Sequence, residues 1–368
     1  MTADDHRFMA RALGLARRGL YTTHPNPRVG CVLVRDGQIV GEGFHERAGE
    51  AHAERMALIA AGDNARGATA YVTLEPCCHH GRTPPCSDGL IEAGVRRVVA
   101  AMQDPNPLVA GKGMEALRRA GIEVSSGLLQ AQAENLNPGF LKRMRQGQPY
   151  VRVKLAMSLD GRTAMANGES KWITGEAARH DVQRLRARSE AVVTGIGTVL
   201  ADDPSMNVRL DPATLLVPDG DAAVQQPLRV VLDPRLEMPV TSKMLGLEGA
   251  TLVVCSGRYE DRANALRQAG AQVAVLAGDT GCIDLGGVLD HLAQLQINEV
   301  LIEAGTQATY LANSSDPGVG MSWVLPGFDD SQWLLGSYGI GYEAASGAQD
   351  LLDTWVPPGT ISVFTRAE

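Results

Sequence analysis

The sequence predicts an α/β fold divided into two domains. The chain has 368 residues, which exceeds the size of one ordinary hydrophobic core. Patterns typical of buried strands alternate with patterns typical of amphipathic helices, and this alternation indicates sheets that are covered by helices. A short polar run with glycine and proline, 146–149, interrupts the alternation and is typical of a linker.

The first series of elements predicts a three-layer α/β domain that ends near Met144. Apolar residues at helical spacing predict its first helix, and a strand, a hairpin turn and a returning strand follow. The predicted elements in chain order are helix 8–18, strand 29–34, turn 35–38, strand 39–44, helix 51–61, strand 69–74, helix 87–93, strand 97–102, helix 113–120 and strand 122–125.

The second series of elements predicts another α/β sheet. Its strands are expected over 151–156, 191–195, 228–233, 251–255, 272–276 and 299–303, and its helices over 175–187, 261–269 and 285–295. The run 195–198 is too short for the Gly-x-Gly-x-x-Gly fingerprint, so a Rossmann fold is not expected. At 303–306 (Glu-Ala-Gly-Thr) a strand ends, and free backbone N–H groups there could meet a cofactor phosphate.

Composition and charge limit the kind of protein this can be. A hydrophobic content of 44% and a charged content of 21% are those of a globular protein in water. The formal net charge of −8, without a run of lysine and arginine, argues against nucleic acid as a partner. Six cysteines, three of them within 77–86, do not resemble a disulfide framework. Because no bilayer-spanning stretch or secretory signal is found, a cytoplasmic location is expected.

The strongest functional signal is His52-Ala53-Glu54 followed by Cys77 and Cys86. One imidazole and two thiolates can hold a Zn²⁺ ion and leave its fourth position for water, which is typical of a catalytic zinc site. A nearby carboxylate such as Glu54 can then move protons between that water and a leaving amine. The pattern resembles the His-x-Glu…Pro-Cys-x-x-Cys signature of zinc nucleobase deaminases, and it predicts hydrolytic deamination.

The chain departs from that signature in the spacing of its thiols. Cys77 and Cys78 are adjacent, and a chelate from adjacent residues would strain tetrahedral geometry, so Cys77 and Cys86 are the predicted ligands. A purely structural zinc ion is the main alternative. Taken singly, the residues also suit ordinary roles, with His52 as a helix cap, the cysteines as buried apolar residues and Glu54 as a solvated charge.

Six short runs carry a resemblance to a known family. They are 24–27 (His-Pro-Asn-Pro), 73–77 (Thr-Leu-Glu-Pro-Cys), 81–86 (Gly-Arg-Thr-Pro-Pro-Cys), 104–107 (Asp-Pro-Asn-Pro), 158–164 (Ser-Leu-Asp-Gly-Arg-Thr-Ala) and 200–204 (Leu-Ala-Asp-Asp-Pro). The chain resembles the bifunctional enzymes of riboflavin biosynthesis in which a pyrimidine deaminase is fused to a reductase, and the resemblance covers residues 1 to about 312. It implies a cytidine-deaminase-like three-layer α/β domain over 1–146 and a dihydrofolate-reductase-like α/β domain over 149–312.

For the first domain, the resemblance implies removal of the 2-amino group from 2,5-diamino-6-(5-phosphoribosylamino)pyrimidin-4(3H)-one. Zn²⁺ would be held by His52, Cys77 and Cys86, and Glu54 would be the general acid and base. The contacts to the base and the phosphosugar would be Asn26, His45, His79 and Arg82. These residue types suit such a ligand, because an amide can read the edge of a base and cations can meet a phosphate.

For the second domain, the resemblance implies reduction of the opened ribosyl group to a ribityl chain with NADPH. The cofactor contacts that it implies are Ala156, Trp172, Thr198, Asp202 and Gly305. The substrate contacts that it implies are Ser170, Arg186, Met206, Arg209 and Glu303. Hydride transfer depends on positioning, since the reacting atoms belong to the cofactor and the substrate, so these residues give little independent signal.

The resemblance ends near residue 312, and the segment 313–368 has a different character. It contains three of the four tryptophans, Trp323, Trp333 and Trp355, and it resembles the opening of a carbohydrate-binding β-sandwich. The helix and strands that close the family's reductase sheet and form its dimer contact are absent there. We therefore expect a fusion or a junction artefact, an incomplete reductase domain with weak or absent activity, and a weakened homo-oligomer through that domain.

Two other functions fit parts of the sequence. One is zinc-dependent deamination of another nucleotide or base, although the acidic balance argues against RNA. The other is glycan binding by the tryptophan-rich tail alone. The long loop between Cys77 and Cys86, with Arg82 in it, favours a compact phosphorylated pyrimidine, so a small substrate is the predicted partner, without nucleic acid or a membrane.

Overall fold

The computed structural model describes residues 1–78, 84–157, 173–215, 224–278 and 281–303, together with two short strands nearer the C-terminus. Its α-helices are α1 (Ala3–Ala16), α2 (Ala53–Ala61), α3 (Cys86–Glu92), α4 (Lys112–Arg119), α5 (Gln130–Leu136), α6 (Pro138–Gln146), α7 (Glu176–Arg188), α8 (Ile196–Asp202), α9 (Glu260–Gln268) and α10 (Leu285–Gln294). Its strands are β1 (Gly30–Arg35), β2 (Gln38–Phe44), β3 (Thr69–Val72), β4 (Arg97–Ala100), β5 (Glu123–Ser126), β6 (Tyr150–Lys154), β7 (Ala191–Gly195), β8 (Leu228–Leu232), β9 (Thr251–Cys255), β10 (Gln272–Val275), β11 (Glu299–Glu303), β12 (Gln307–Tyr310) and β13 (Leu334–Ser337).

The first domain is built on a five-stranded sheet in the order β2-β1-β3-β4-β5. β1 pairs antiparallel with β2 and β3, and the other pairs are parallel. Val32 and Val34 of β1 pack into the layer of α1, α5 and α6, whereas Cys31 and Leu33 pack into the layer of α2, α3 and α4. A strand that is buried on both faces has to be apolar throughout, which explains the unbroken apolar run in its sequence. The predicted three-layer α/β architecture is confirmed.

Local sequence sets the hairpin that begins this sheet. Arg35 pairs with Gln38, so the turn has two central residues, Asp36 and Gly37. Their φ angles are 52° and 75°, in the left-handed region that glycine and aspartate tolerate better than most residues. Such two-residue turns match the twist of antiparallel strands, and the predicted hairpin is confirmed.

Helix α2 lies unusually close to β2. A Cβ atom added at Gly43 would lie 2.5 Å from the carbonyl oxygen of Ala53, and one at Gly41 would lie 2.3 Å from that of Ala57. Only glycine fits at such distances, because any side chain would push the helix away from the sheet. The two glycines therefore fix the position of α2, which begins next to His52.

The second domain contains a six-stranded parallel sheet in the order β10-β9-β8-β7-β11-β6. Helices α8 and α9 contribute to the apolar cluster on one face, and α10 contributes to that on the other. The predicted α/β sheet is confirmed, with its strands near the predicted positions. The strands β12 and β13 pair with each other in a separate antiparallel sheet.

Some predicted boundaries were wrong. Helix α1 begins at Ala3 because Thr2 and Asp5 form a capping box, in which each side chain accepts the other's backbone N–H. The short helices α5, α6 and α8 were not predicted, and Met144, near which the first domain was expected to end, lies inside α6. In the described part of the chain, no helix combines the length and the apolar character needed to cross a membrane.

The two domains meet at a cluster of buried charges around Glu299, which is 1% exposed. Arg28 of the first domain donates to Glu299 Oε1 at 2.6 Å, and Arg152 and Arg188 of the second domain bond to Oε2. Burial alone would raise the pKa of the Glu299 carboxyl, but the three guanidinium charges outweigh burial and hold the pKa well below its ordinary value. The carboxylate is therefore charged and joins the two domains.

A second carboxylate, Glu190, extends this contact. His24 Nδ1 lies 2.5 Å from Glu190 Oε1, and the amide nitrogen of Asn298 donates to the same oxygen at 2.9 Å. Asn298 Nδ2 also donates to the carbonyl oxygen of Pro25 at 2.8 Å. Helix α6 fits against this region through Gly139, where a Cβ atom would lie 2.5 Å from the Asn298 carbonyl oxygen. The domains are thus joined by hydrogen bonds whose partners are largely enclosed.

Replacing Glu299 by glutamine should destabilise the protein, because three guanidinium groups lose their shared counter-charge. We expect the free energy of unfolding to fall by about 3 kcal/mol, as for other buried ion pairs that lose one partner. Urea unfolding followed by circular dichroism measures the change. Glu115→Gln is the matched control, because it removes an exposed ion pair with Arg119 and should have little effect. Equal loss in both variants would contradict the role given to Glu299.

Candidate active site

Three side chains that are distant in the sequence meet in the first domain: His52, Cys77 and Cys86. Their Nδ1 and two Sγ atoms all lie within 4.8 Å of one another. His52 Nδ1 is 3.5 Å from Cys77 Sγ and 3.3 Å from Cys86 Sγ. Among the residues that the structure describes, no other group of histidine, cysteine or carboxylate side chains is placed to share a metal ion.

These distances suit a tetrahedral Zn²⁺ ion. Zinc binds a histidine nitrogen at about 2.0 Å and a cysteine sulfur at about 2.3 Å, so neighbouring ligand atoms stand about 3.5 Å apart. Imidazole and thiolate are donor types that zinc prefers, and three protein ligands leave its fourth position open. No fourth protein ligand joins the cluster within the described ranges. The donor set therefore fits an open, catalytic zinc site.

Two of the three ligands stand at the N-termini of helices, and the third lies in the loop after β3. His52 is the N-cap of α2, but its imidazole makes no capping hydrogen bond and is free for a metal ion. Cys86 is the first residue of α3. Cys77 follows β3, and its sulfur accepts the backbone N–H of Cys86 at 3.3 Å. This bond holds the two sulfur-bearing segments together.

The two thiols differ in how readily they ionise. A hydrogen bond from the Cys86 thiol lowers the pKa of Cys77 against the opposing effect of burial, and the contact with His52 lowers it further. The pKa of Cys86 is raised, because its thiol donates this hydrogen bond and is buried. Thiolate is the form that binds zinc, so Cys77 is already prepared for a metal ion, whereas Cys86 loses its proton on binding.

Glu54 lies in the first turn of α2, two residues after His52, and is 3% exposed. Burial raises the pKa of its carboxyl to about 7, and the negative charge of Cys77 contributes to the increase. A group with a pKa near neutrality can both accept and donate a proton at ordinary pH. Glu54 therefore has the protonation behaviour that a general acid and base needs.

Glu75 stabilises the loop that carries Cys77, and the sequence pattern did not point to it. Its carboxylate is buried and accepts three backbone N–H bonds from the loop after β4 and the first turn of α4. The donors are Asp104 at 3.1 Å, Gly111 at 2.9 Å and Met114 at 3.1 Å. The sequence held one signal for this role, a charged residue between an apolar strand and Pro76. A charged side chain buried at such a position requires hydrogen-bond partners.

The cluster opens into a cavity of about 560 Å³, a size typical of small-molecule sites. Besides His52, Glu54 and Cys77, its wall includes the loop residues Asn26 and His45. It also includes side chains that the sequence pattern did not indicate, namely Glu75, Asp104, Phe140, Arg143 and Gln296. Burial raises the pKa of Asp104 to about 6. Two carboxyls of the cavity wall, those of Glu54 and Asp104, therefore have pKa values raised toward neutrality.

Asn26 and His45 contact each other in this wall. The amide nitrogen of Asn26 lies 3.0 Å from His45 Nε2, and His45 Nδ1 lies 3.1 Å from the carbonyl oxygen of Ala51. The carbonyl can only accept, so Nδ1 carries the proton and Nε2 accepts from Asn26. Burial lowers the pKa of His45, in keeping with a neutral ring. Because His45 accepts from the Asn26 amide nitrogen, the side-chain carbonyl oxygen of Asn26 is the acceptor that is left for a ligand.

Five of the residues suggested by the family resemblance lie outside the described residues. His79 and Arg82 belong to the loop between the two cysteine ligands, and Ser170, Trp172 and Gly305 belong to the second domain.

The second domain contains a charged cluster at the ends of β6 and β11. Arg186 Nη2 donates to Glu303 Oε2 at 2.7 Å, and its Nε bonds to the other carboxylate oxygen. Lys154 pairs with Glu303 in the sheet register, and burial lowers its pKa. Arg209 is exposed beside them. Three of the predicted substrate contacts are thus brought together, with Lys154 as a cation that the sequence pattern did not indicate.

The other predicted residues of this domain are placed differently. The Thr198 hydroxyl is buried in α8 without a hydrogen-bond partner in the described part of the chain, which suits a contact to a bound cofactor. Ala156 is half-buried after β6, and Asp202 is exposed at the end of α8. Met206 is 2% exposed and packs in an apolar cluster with Val199. Its side chain therefore serves core packing in this structure.

Comparison with known proteins finds a family match for each of the two domains. A model for the cytidine and deoxycytidylate deaminase zinc-binding region matches residues 2–102, and a model for the RibD C-terminal domain matches residues 149–312. The riboflavin biosynthesis protein RibD of Escherichia coli (strain K12) is 53% identical over 305 residues, which cover 82% of this chain and 82% of that protein.

Two solved structures resemble the whole two-domain arrangement. Acinetobacter baumannii RibD, form 1, has a TM-score of 0.74 and 52% identity, and the match covers 82% of this chain and 81% of that one. A diaminohydroxyphosphoribosylaminopyrimidine deaminase/5-amino-6-(5-phosphoribosylamino)uracil reductase from Thermotoga maritima has a TM-score of 0.70 and 36% identity, with coverage of 82% and 81%.

Fold and site together define a zinc-dependent deaminase joined to a reductase. The chain belongs to the RibD family of riboflavin biosynthesis proteins. It is a bifunctional enzyme with deaminase and reductase activities, and its cofactors are Zn²⁺ and NADPH. The predicted family, fold class, function and cofactors are confirmed.

Proposed function

We propose that the first domain removes the 2-amino group of 2,5-diamino-6-(5-phosphoribosylamino)pyrimidin-4(3H)-one by hydrolysis. The second domain would then reduce the ribosyl group of the product to ribityl with NADPH. The observation that supports the first step best is the meeting of His52, Cys77 and Cys86 beside the buried Glu54, in the wall of a cavity of suitable size. The name of the Thermotoga maritima relative supports the choice of substrate.

In this proposal His52, Cys77 and Cys86 would hold Zn²⁺, which when bound would supply a water nucleophile at neutral pH. Glu54 would accept a proton from the attacking water as the new C2–O bond of the pyrimidine forms. Glu54 then donates a proton to the 2-amino nitrogen as the C2–N bond breaks and ammonia leaves. A pKa of about 7 suits both transfers, because neither protonation state of Glu54 is rare at working pH.

Asn26 and His45 are proposed to orient the pyrimidine. The Asn26 amide nitrogen is occupied by His45, so its carbonyl oxygen would accept an N–H from the base. The ring of His45 lies 5.3 Å from that of His52, next to the zinc ligands. Because burial lowers the pKa of His45, its neutral ring adds no charge there. His79 and Arg82 remain proposed contacts to the substrate on the strength of the family resemblance.

In the second domain the proposed substrate contacts are Ser170, Arg186, Met206, Arg209 and Glu303, and the proposed cofactor contacts are Ala156, Trp172, Thr198, Asp202 and Gly305. The Arg186–Glu303 pair supports the first set, because it holds a guanidinium group in place beside the exposed Arg209. The unpartnered hydroxyl of Thr198 supports the second. The proposed role of Met206 rests on its backbone or on movement of its side chain, since that side chain is buried.

We further propose domain limits of 1–146 and 149–312, with 313–368 as an unrelated segment. All six cysteines are free, which supports a reducing compartment and therefore the cytoplasm. The net charge of −8 supports a small ligand over nucleic acid. We also propose a homo-oligomer that forms through the second domain, with an association weakened by the incomplete end of that domain.

Glu54→Gln should abolish deamination without loss of the metal ion. Glutamine keeps the size of the side chain but cannot exchange a proton, so ammonia release should fall by at least about 10³-fold. Ammonia and bound zinc would be measured in the same samples. Glu92→Gln, an exposed carboxylate of α3, is the control and should behave as the unsubstituted protein. Retained turnover in Glu54→Gln with full zinc content would refute the proton-transfer role.

NADPH oxidation with the deaminated product should be weak. The match to the reductase domain model ends at residue 312, and the sequence of 313–368 predicts that the elements closing the family's sheet are absent, which would leave substrate and cofactor misplaced. A displacement of about 1 Å can reduce a rate by about 10²-fold. Loss of NADPH absorbance would be followed in protein that releases ammonia normally, with the Thermotoga maritima deaminase/reductase as positive control. A rate equal to that of the control would overturn this prediction.

A further inference from the structure

One wall of the deaminase cavity is made by residues outside the zinc loops. Phe140, Arg143 and Met144 of α6 line it, together with Gln296 from the turn between α10 and β11. Gln296 belongs to the second domain and has a φ of 64°, in the left-handed region. The deaminase cavity is thus completed by the helix that leads into the second domain and by that domain itself.

Arg143 is the cation of this wall. It is half-buried, and burial lowers its pKa while the charge of Glu190 opposes the change. Its Nε donates to Asn298 Oδ1 at 2.6 Å, and this is its one side-chain hydrogen bond in the described part of the chain. Arginine stays charged in proteins, so Nη1 and Nη2 carry a charge that no protein carboxylate within those residues contacts.

Asn298 holds Arg143 in a fixed orientation. Asn298 is 3% exposed, and its own amide nitrogen is bound by Pro25 and Glu190 at 2.8 and 2.9 Å. Its Oδ1 therefore points to Arg143. Pro25 directly precedes Asn26. The side-chain amide of Asn298, which belongs to the second domain, therefore connects Arg143 to the loop that is proposed to contact the base. A partly desolvated guanidinium held in this way is prepared for an anion in the cavity.

We propose that Arg143 binds the phosphate monoester of the deaminase substrate through Nη1 and Nη2, and that Asn298 of the second domain positions it. The inference rests on the proposed function and adds a specificity-determining residue to it. Parallel N–H groups of a guanidinium match two oxygens of a phosphate. A cavity of about 560 Å³ has room for a pyrimidine near the zinc ligands and a phosphosugar that reaches this wall. The deaminase would therefore depend on the second domain for affinity, independently of hydride transfer.

The test compares the phosphorylated substrate with its dephosphorylated analogue in the zinc-loaded full chain. Arg143→Gln should raise the KM for the phosphorylated substrate by about 10- to 100-fold, which is the value of hydrogen bonds to a charged group. Its kcat should change little, because Glu54 and the zinc ligands are intact. With the dephosphorylated analogue, the variant and the unsubstituted protein should have the same KM. Arg143→Lys should recover part of the affinity, because it restores the charge.

Arg145→Gln is the matched control, because Arg145 lies on the same helix and pairs with Glu134 away from the cavity. Zinc content and melting temperature show whether each variant is folded. An equal KM increase for both substrates, or no increase for the phosphorylated one, would overturn the role of Arg143. If the unsubstituted protein releases no ammonia from either compound, the proposed function itself fails and this inference fails with it.

Discussion

The first domain depends on one geometric requirement: an imidazole nitrogen and two sulfurs must stand within 4.8 Å of one another. Tight backbone packing meets it. Helix α2 is held against β2 at Gly43, and α4 is held against the metal loop at Gly113, where a Cβ atom would lie 1.9 Å from the carbonyl oxygen of Pro76. A larger side chain at either position would move a ligand-bearing segment, so packing and metal geometry form a single constraint.

Charge extends this constraint across the domain boundary. Glu75 fixes the metal loop from within the first domain, while Glu190 and Glu299 tie the second domain to the segment around Pro25 and Arg28. Each carboxylate is buried and each has several donors, which is the condition under which a buried charge is tolerated. The cavity lies between these fixed points, and its wall at Arg143 belongs to both domains. The fusion of the two domains therefore has structural consequences for the deaminase half.

Much of the fold follows from sequence periodicity, since strands such as β7, β9 and β11 coincide with apolar runs and the predicted ligands His52, Cys77 and Cys86 meet in space. Periodicity missed α5 and α8, which have seven residues each and bury only two apolar residues and one apolar residue, respectively, so their sequences show little of an apolar face. Long-range partners were also hidden. Glu75, Arg143 and Glu299 look like ordinary charges in the sequence, and only the folded chain brings their donors and acceptors to them.

X-ray absorption spectroscopy at the zinc edge of the zinc-loaded full chain tests the central geometry most directly. The structure predicts two sulfur ligands at about 2.3 Å and two nitrogen or oxygen ligands at about 2.0 Å, one from His52 and one from solvent. The same spectrum is expected for Cys78→Ser, since Cys78 lies outside the ligand cluster. Three or four sulfur ligands, or a sulfur lost in Cys78→Ser, would contradict the account, because the site would then have no open position formed by this ligand set.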